Sequence, residues 1–158
     1  MLGKQQATRR GEPSALRRGC FCLGIVLGVL LVLMQLVPFG RVHLNPPVES
    51  EPPWPSPEDR ALVVRACFDC HSNETQWPWY SHIAPVSWLV ANDVEEGRYA
   101  LNFSEWERAK DMAWAIPDVV DSGSMPPWYY ELMHPAANLS ESDRARLVSM
   151  FEPQDATR

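Results

Sequence analysis

The run Cys67-Phe-Asp-Cys-His71 places two thiols three residues apart and an imidazole directly after them. On one helical turn, both thiols can add across the vinyl groups of a porphyrin while the histidine donates a nitrogen to the iron. A redox dithiol or a zinc site is less consistent with the chain, because no strand-rich pattern surrounds the motif and Cys20 and Cys22 lie in an apolar run. The motif predicts one covalent haem c, attached at Cys67 and Cys70, with His71 bound to iron.

An uncharged apolar segment, residues 20–37, precedes this motif. It is long enough for a helix to cross the hydrocarbon core of a bilayer. Residues 1–19 hold five basic residues and one acidic residue, a bias that predicts a cytoplasmic N-terminus. No small-residue cleavage pattern follows the segment, so we expect an uncleaved, single-pass anchor in the inner (cytoplasmic) membrane. The C-terminal domain is then expected on the periplasmic, outer face.

The part of the chain after the anchor is strongly acidic. Residues 38–158 carry nine basic and nineteen acidic residues, a net charge of −10. Such a domain repels nucleic acid and anionic lipid, so neither is expected as a ligand. Two interpretations of the acidity stay open, namely that it keeps the domain soluble or that it docks a basic redox partner.

Residues 38–56 are predicted to form a proline-rich linker, because prolines disfavour helix and sheet and favour an extended chain. Two alternatives stay open for this linker. It is either a spacer that lifts the domain off the membrane or a segment packed on the domain surface, with Trp54 as a contact.

Residues 57–152 are predicted to form an all-α haem-binding domain, because no run alternates with a two-residue period. Gly97 is the predicted stop of the second helix, and Ser104 begins a predicted capping box. The five expected helices cover approximately residues 57–70, 86–96, 104–115, 126–132 and 140–151.

All seven tryptophans lie beyond residue 53. A large, flat, apolar cofactor needs large apolar side chains around it, so some tryptophans are expected to form its walls. The alternative is a core that is simply rich in tryptophan. Arg98 either binds a haem propionate or pairs on the surface with Glu95 or Glu96.

A haem iron bound by one histidine has a second axial position, and a methionine there gives the electron-transfer state with a raised potential. Met125 is the preferred candidate, because residues 121–127 form a loop with one glycine and two prolines that follows two predicted helices. Met112 and Met150 fall at apolar helix positions and are expected in the core. The remaining candidates are Met133, His43, His82 and His134.

Several segments together resemble the haem-binding domain family of exported, membrane-anchored bacterial c-type cytochromes. They are residues 67–75 (CFDCHSNET), 77–80 (WPWY), 83–88 (IAPVSW), 96–98 (EGR), 101–106 (LNFSEW) and 125–127 (MPP). The resemblance covers roughly residues 57–150. It implies a small cytochrome c-like helical fold around one covalent haem. It also implies Cys67, Cys70 and His71 as the attachment site and Met125 as the distal ligand.

The expected function is a membrane-anchored monohaem electron carrier that exchanges single electrons with redox proteins. No nucleophile–base constellation is evident, so enzymatic activity is not expected. One alternative is a haem-based sensor or peroxidase-like enzyme with an open or labile sixth site, in which His82 or His134 acts as an acid–base group. Another is a docking subunit whose haem is redox-inert.

Overall fold

The computed structural model describes residues 13–152, with side chains from residue 17 onward. Residues 1–12 of the predicted cytoplasmic N-terminus lie outside this described part. The chain divides into two compact units between Pro38 and Phe39, and each unit is considered by itself.

The first unit contains one helix, α1 (Pro13–Met34). Its segment Arg17–Met34 has a mean hydropathy of 2.0 and is long enough and apolar enough to cross a membrane, judged by length and composition. Its side chains from residue 17 to residue 33 are all exposed within this unit. A helix that is apolar all round is typical of one surrounded by apolar material.

Helices make up the second unit. Between residues 39 and 152 no strand forms, and one isolated parallel bridge joins Ser50 to Glu105. The prediction of a small all-α domain preceded by one apolar helix is confirmed. Short 3₁₀ turns connect the α-helices, which are α2 (Pro57–His71), α3 (Val86–Ala100), α4 (Trp106–Ala109), α5 (Ile116–Asp121), α6 (Trp128–Met133) and α7 (Glu141–Phe151).

Helices α2 and α7 begin where their capping residues predict. The Ser56 hydroxyl accepts the Asp59 N–H at 3.1 Å, and Pro57 takes the first helical position, where its missing N–H costs no hydrogen bond. Ser140 and Asp143 exchange two hydrogen bonds in a capping box. Local sequence is sufficient to start both helices.

The predicted stop of the second helix is wrong. Helix α3 runs through Gly97 to Ala100. A Cβ atom at Gly97 would lie 2.5 Å from the Cys70 carbonyl oxygen. The glycine is therefore needed for the close approach of α3 to α2, and it does not end the helix.

The predicted capping box at Ser104 is also wrong. The Ser104 hydroxyl accepts the Asn73 N–H at 2.9 Å, so it joins the loop after α2 and does not cap a helix. Helix α4 begins only at Trp106, and a 3₁₀ segment, Lys110–Ala115, follows it. The predicted single helix of residues 104–115 is thus divided into two shorter pieces.

The hydrophobic core lies among α2, α5, α7 and the loop after α3. Val63 and Leu147 are fully buried, and Phe103 is nearly so. Trp54 and Trp106 pack against this cluster. Met112, which was predicted in the core, is 50% exposed because its segment is a 3₁₀ helix, in which side chains follow a three-residue period.

The proline-rich segment packs on the domain surface over residues 43–54. The alternative of a spacer that lifts the domain off the membrane does not hold for these residues. The His43 Nε2 lies 3.1 Å from the Ser81 carbonyl oxygen. The Asn45 amide donates to the Thr75 carbonyl at 2.9 Å. The Trp54 ring lies about 6 Å from two core phenylalanine rings. Polar bonds and aromatic packing both hold this segment to the helices.

Arg98 fastens this segment to the end of α2. Its guanidinium donates to carbonyl and neutral side-chain oxygens rather than to the neighbouring glutamates, so the predicted surface pairing is wrong. The acceptors are the Ser72 carbonyl at 2.8 Å, the Leu44 carbonyl at 3.0 Å, Asn45 Oδ1 at 3.0 Å and Thr75 Oγ1 at 2.9 Å.

Removing this guanidinium should destabilise the domain. We expect R98A to lower the free energy of unfolding by about 2 kcal/mol, because carbonyl groups lose charged hydrogen-bond donors. Denaturant unfolding of the full chain measures this loss. R108A is the matched control, because Arg108 is 73% exposed and pairs with Glu105 within its own turn. Equal unfolding midpoints for the two variants would contradict the assignment.

Candidate haem site

Helix α2 carries the predicted attachment residues on its last turn. Cys67, Cys70 and His71 lie at its C-terminal end and line a cavity of about 260 Å³. Met125, which follows α5, lines the same cavity. The structure therefore brings all four predicted site residues to one place. We call this space the attachment cavity.

The His71 ring is held in one tautomer. Its Nδ1 lies 3.0 Å from the Leu101 carbonyl oxygen, which can only accept a hydrogen bond, so Nδ1 carries the proton. The lone pair is then on Nε2. Burial lowers the pKa of His71, although backbone hydrogen bonds oppose this shift. A neutral imidazole with a fixed ring is the form that binds iron.

The two thiols are free and half-buried. Burial raises the pKa of Cys67 and of Cys70 to about 12, so both are protonated at neutral pH. This shift is opposite to that of a redox-active dithiol, in which a lowered pKa supplies thiolate. The surroundings of the thiols therefore disfavour thiol–disulfide exchange.

Hydrogen bonds from the backbone and from side chains fix the end of α2, which lines this cavity. The Phe103 N–H donates to the His71 carbonyl at 2.8 Å, and the Ser72 hydroxyl donates to the Phe68 carbonyl at 2.8 Å. Next to them, Asn102 donates to the Asn73 side chain at 2.9 Å. The first two of these bonds satisfy free carbonyls at the helix end.

The loop of Met125 also lines the attachment cavity. Gly123 has φ +70°, which lets the chain turn sharply after α5. The Met125 N–H donates to the Val119 carbonyl at 3.0 Å. Pro126 is buried, and Pro127 leads directly into α6. Met125 itself is 37% exposed.

Two tyrosines of α6 form a wall that the sequence did not predict. The Tyr130 hydroxyl donates to Asp69 at 2.7 Å, and Tyr129 interacts with Asp93 of α3. Together with Cys70, these residues also line an adjoining cavity of about 140 Å³. Burial raises the pKa of Tyr130 and of Asp93. The available signal was a pair of adjacent tyrosines, four and five residues after the candidate ligand Met125.

The tryptophans do not form the wall that was expected of them. Within residues 39–152, both cavities have tyrosines in their linings and no tryptophan. Trp79 and Trp128 are more than 70% exposed, whereas Trp54 and Trp106 pack on the core. The alternative, a core that is rich in tryptophan, accounts for Trp54 and Trp106 but not for the exposed tryptophans.

The other candidates for the sixth ligand lie outside the attachment cavity. Met150 packs against the core, as predicted. His43 stacks on Trp77 with ring centroids 4.3 Å apart, and exposed His82 lies against His43. His134 and Met133 line the adjoining cavity and do not line the attachment cavity. Met125 alone among the predicted methionine and histidine candidates shares the cavity of His71.

This donor set fits a haem. Thiols, a neutral imidazole and a thioether are the groups that attach and ligate haem c. A family model described as "Haem-binding domain" matches residues 29–152, which is well over half of the chain. No curated protein matches the chain, and no solved structure does so either.

Proposed function

Since the chain belongs to the haem-binding domain family, we propose that it is a membrane-anchored monohaem c-type cytochrome that transfers single electrons on the outer face of the inner membrane. The observation that carries this proposal is that Cys67, Cys70, His71 and Met125 line one cavity. When bound, haem supplies one-electron chemistry at its iron.

Each of the four residues has a distinct part in this proposal. Cys67 and Cys70 form thioether bonds to the haem vinyl groups. The neutral Nε2 of His71 is the proximal ligand, and its ring is oriented by the Leu101 carbonyl. The Met125 thioether would be the second protein ligand of the iron, because its loop lines the same cavity as His71.

We propose an electron carrier rather than an enzyme. The hydroxyl of Tyr130 is bound to Asp69, and that of Tyr129 interacts with Asp93. Each tyrosine hydroxyl is thus paired with a carboxyl group of the protein rather than directed at a substrate proton. Such a site holds its haem in place and sets its potential without acid–base chemistry.

Helix α1 supports the proposed anchor, and the acidic charge after it supports the proposed class of partner. Basic residues before α1 favour a cytoplasmic N-terminus and a periplasmic domain. The net charge of −10 favours a basic redox protein as the partner and disfavours nucleic acid. Because the segment of residues 43–54 is hydrogen-bonded to the domain, it does not act as a free spacer.

One observation favours the alternative of a sensor or a peroxidase-like enzyme. His134 lines the adjoining cavity, and its Nε2 lies 3.4 Å from the Tyr80 hydroxyl. An acid–base group in a cavity that Cys70 also lines suits peroxide chemistry if the sixth site is open. His82 does not support this alternative, because it is exposed and lies against His43.

Carbon monoxide distinguishes the two functions. We expect the reduced full chain, produced with haem-attachment machinery, to keep its low-spin spectrum when carbon monoxide is added, because Met125 fills the sixth position. M125A should shift promptly, since alanine supplies no ligand. M112A is the matched control, because Met112 is half-exposed and lies away from the attachment cavity. A prompt shift in the wild-type chain would contradict the electron-carrier proposal.

A further inference from the structure

Tyr130 makes a side-chain hydrogen bond that links the two sides of the attachment cavity. Its hydroxyl, on α6, donates to Asp69 Oδ2 on α2 at 2.7 Å. Helix α6 has six residues, and none of its side chains is fully buried. Because apolar packing holds α6 only weakly, this bond to a carboxylate and the interaction of Tyr129 with Asp93 of α3 together keep it in place.

We infer that Tyr130 is a positioning residue for the sixth ligand, because its bond to Asp69 ties α6, and with it the loop of Met125, to the attachment helix. This inference rests on the proposed function, in which Met125 binds iron.

The chain between Tyr130 and Met125 is short and stiff. Pro126 and Pro127 separate Met125 from the start of α6, and proline fixes φ at each of these positions. On the other side, the Met125 N–H is bound to the Val119 carbonyl at 3.0 Å. Met125 therefore lies between two fixed points, α5 and α6. Release of α6 would leave it fixed at one end only.

The acceptor of this bond is itself held in place. Asp69 Oδ1 accepts the Gln76 N–H at 2.9 Å, so the two oxygens of one carboxylate bind the loop after α2 and the tyrosine of α6. Asp69 lies between the two cysteines of the attachment motif. Asp69 therefore couples the position of α6, and with it Met125, to the part of α2 that carries the two cysteines.

The Tyr130 ring also has a fixed environment. It stacks on His134 with ring centroids 4.1 Å apart. Phenylalanine keeps this stacking and removes only the hydroxyl. Y130F therefore tests the hydrogen bond rather than the packing of the ring.

The test uses the haem-loaded full chain. We expect reduced Y130F to bind carbon monoxide at least about tenfold faster than wild type, because Met125 leaves the iron more often when a charged hydrogen bond is lost. The reduction potential should also fall, since a bound thioether raises it. D69A removes the same bond from the other side and should accelerate carbon monoxide binding to a similar extent. The double variant Y130F/D69A should be no faster than D69A.

Y99F is the matched control, because Tyr99 is 89% exposed. Slow carbon monoxide binding in the wild-type chain, combined with unchanged rates and potentials in both Y130F and D69A, would overturn this inference and leave the proposed function intact. Prompt binding by the wild-type chain, with no further change in M125A, would overturn the proposed function and the inference together.

Discussion

Replacing Cys67 and Cys70 together by alanine should leave a chain that retains no haem after denaturation. Thioether bonds survive denaturation and extraction with acidified acetone, whereas a haem held only by ligation to iron is released under these conditions. Both thiols line the attachment cavity, one helical turn apart and next to His71. We expect complete loss of haem staining on a denaturing gel for the double variant and partial loss for each single variant.

The chain offers its own control for this experiment. Cys20 and Cys22 are free cysteines on α1, outside the domain that carries the attachment cavity. The variant C20A/C22A should therefore stain as strongly as wild type. Undiminished staining of C67A/C70A would contradict haem attachment through Cys67 and Cys70, and the family assignment would then stand with a haem that is held in another way.

Replacing Gly97 by alanine should have the second large effect. A Cβ atom there would lie 2.5 Å from the Cys70 carbonyl oxygen and 2.9 Å from the Cys70 carbonyl carbon. Backbone atoms cannot rotate away as the end of a side chain can, so α2 and α3 must separate. We expect a loss of about 2 kcal/mol in the free energy of unfolding, since a clash of about 3 kcal/mol exceeds the gain of about 1 kcal/mol in helix propensity.

Denaturant unfolding of the full chain measures this effect, and the same variant should show weaker haem staining because Cys70 is displaced. Two controls separate the clash from the change of residue type. G28A introduces a Cβ that meets nothing within 4 Å on α1. N92A changes an exposed position on α3 itself. A G97A chain as stable as these controls would show that the helices do not need this close approach.

Local signals in the chain were sufficient for part of the fold. Ser56 with Pro57, and Ser140 with Asp143, predicted the starts of α2 and α7, because a capping hydrogen bond depends only on residues within one turn. Gly97 and Ser104 carry the same kind of signal and were misread. Their roles are set by Cys70 and Asn73, which are distant in sequence and become neighbours only in the folded chain.

The same division holds for the site. The spacing of Cys67, Cys70 and His71 predicted that the three side chains lie together, because their relation is fixed by one helical turn. The placement of Met125 opposite them was a hypothesis that depended on how the intervening helices fold. The tyrosine wall was missed, because the hydrogen-bond acceptor of Tyr130 lies on α2, 61 residues away in the sequence.

The sequence by itself determined the apolar segment, the all-α class and the C-x-x-C-H motif, since each depends on composition or on spacing within a turn. Only the tertiary structure decided that the proline-rich segment packs on the domain, that tyrosines rather than tryptophans line the cavities, and that Met125 shares the cavity of His71. These outcomes depend on contacts between residues that are far apart along the chain. Such contacts form only when the helices pack around one core.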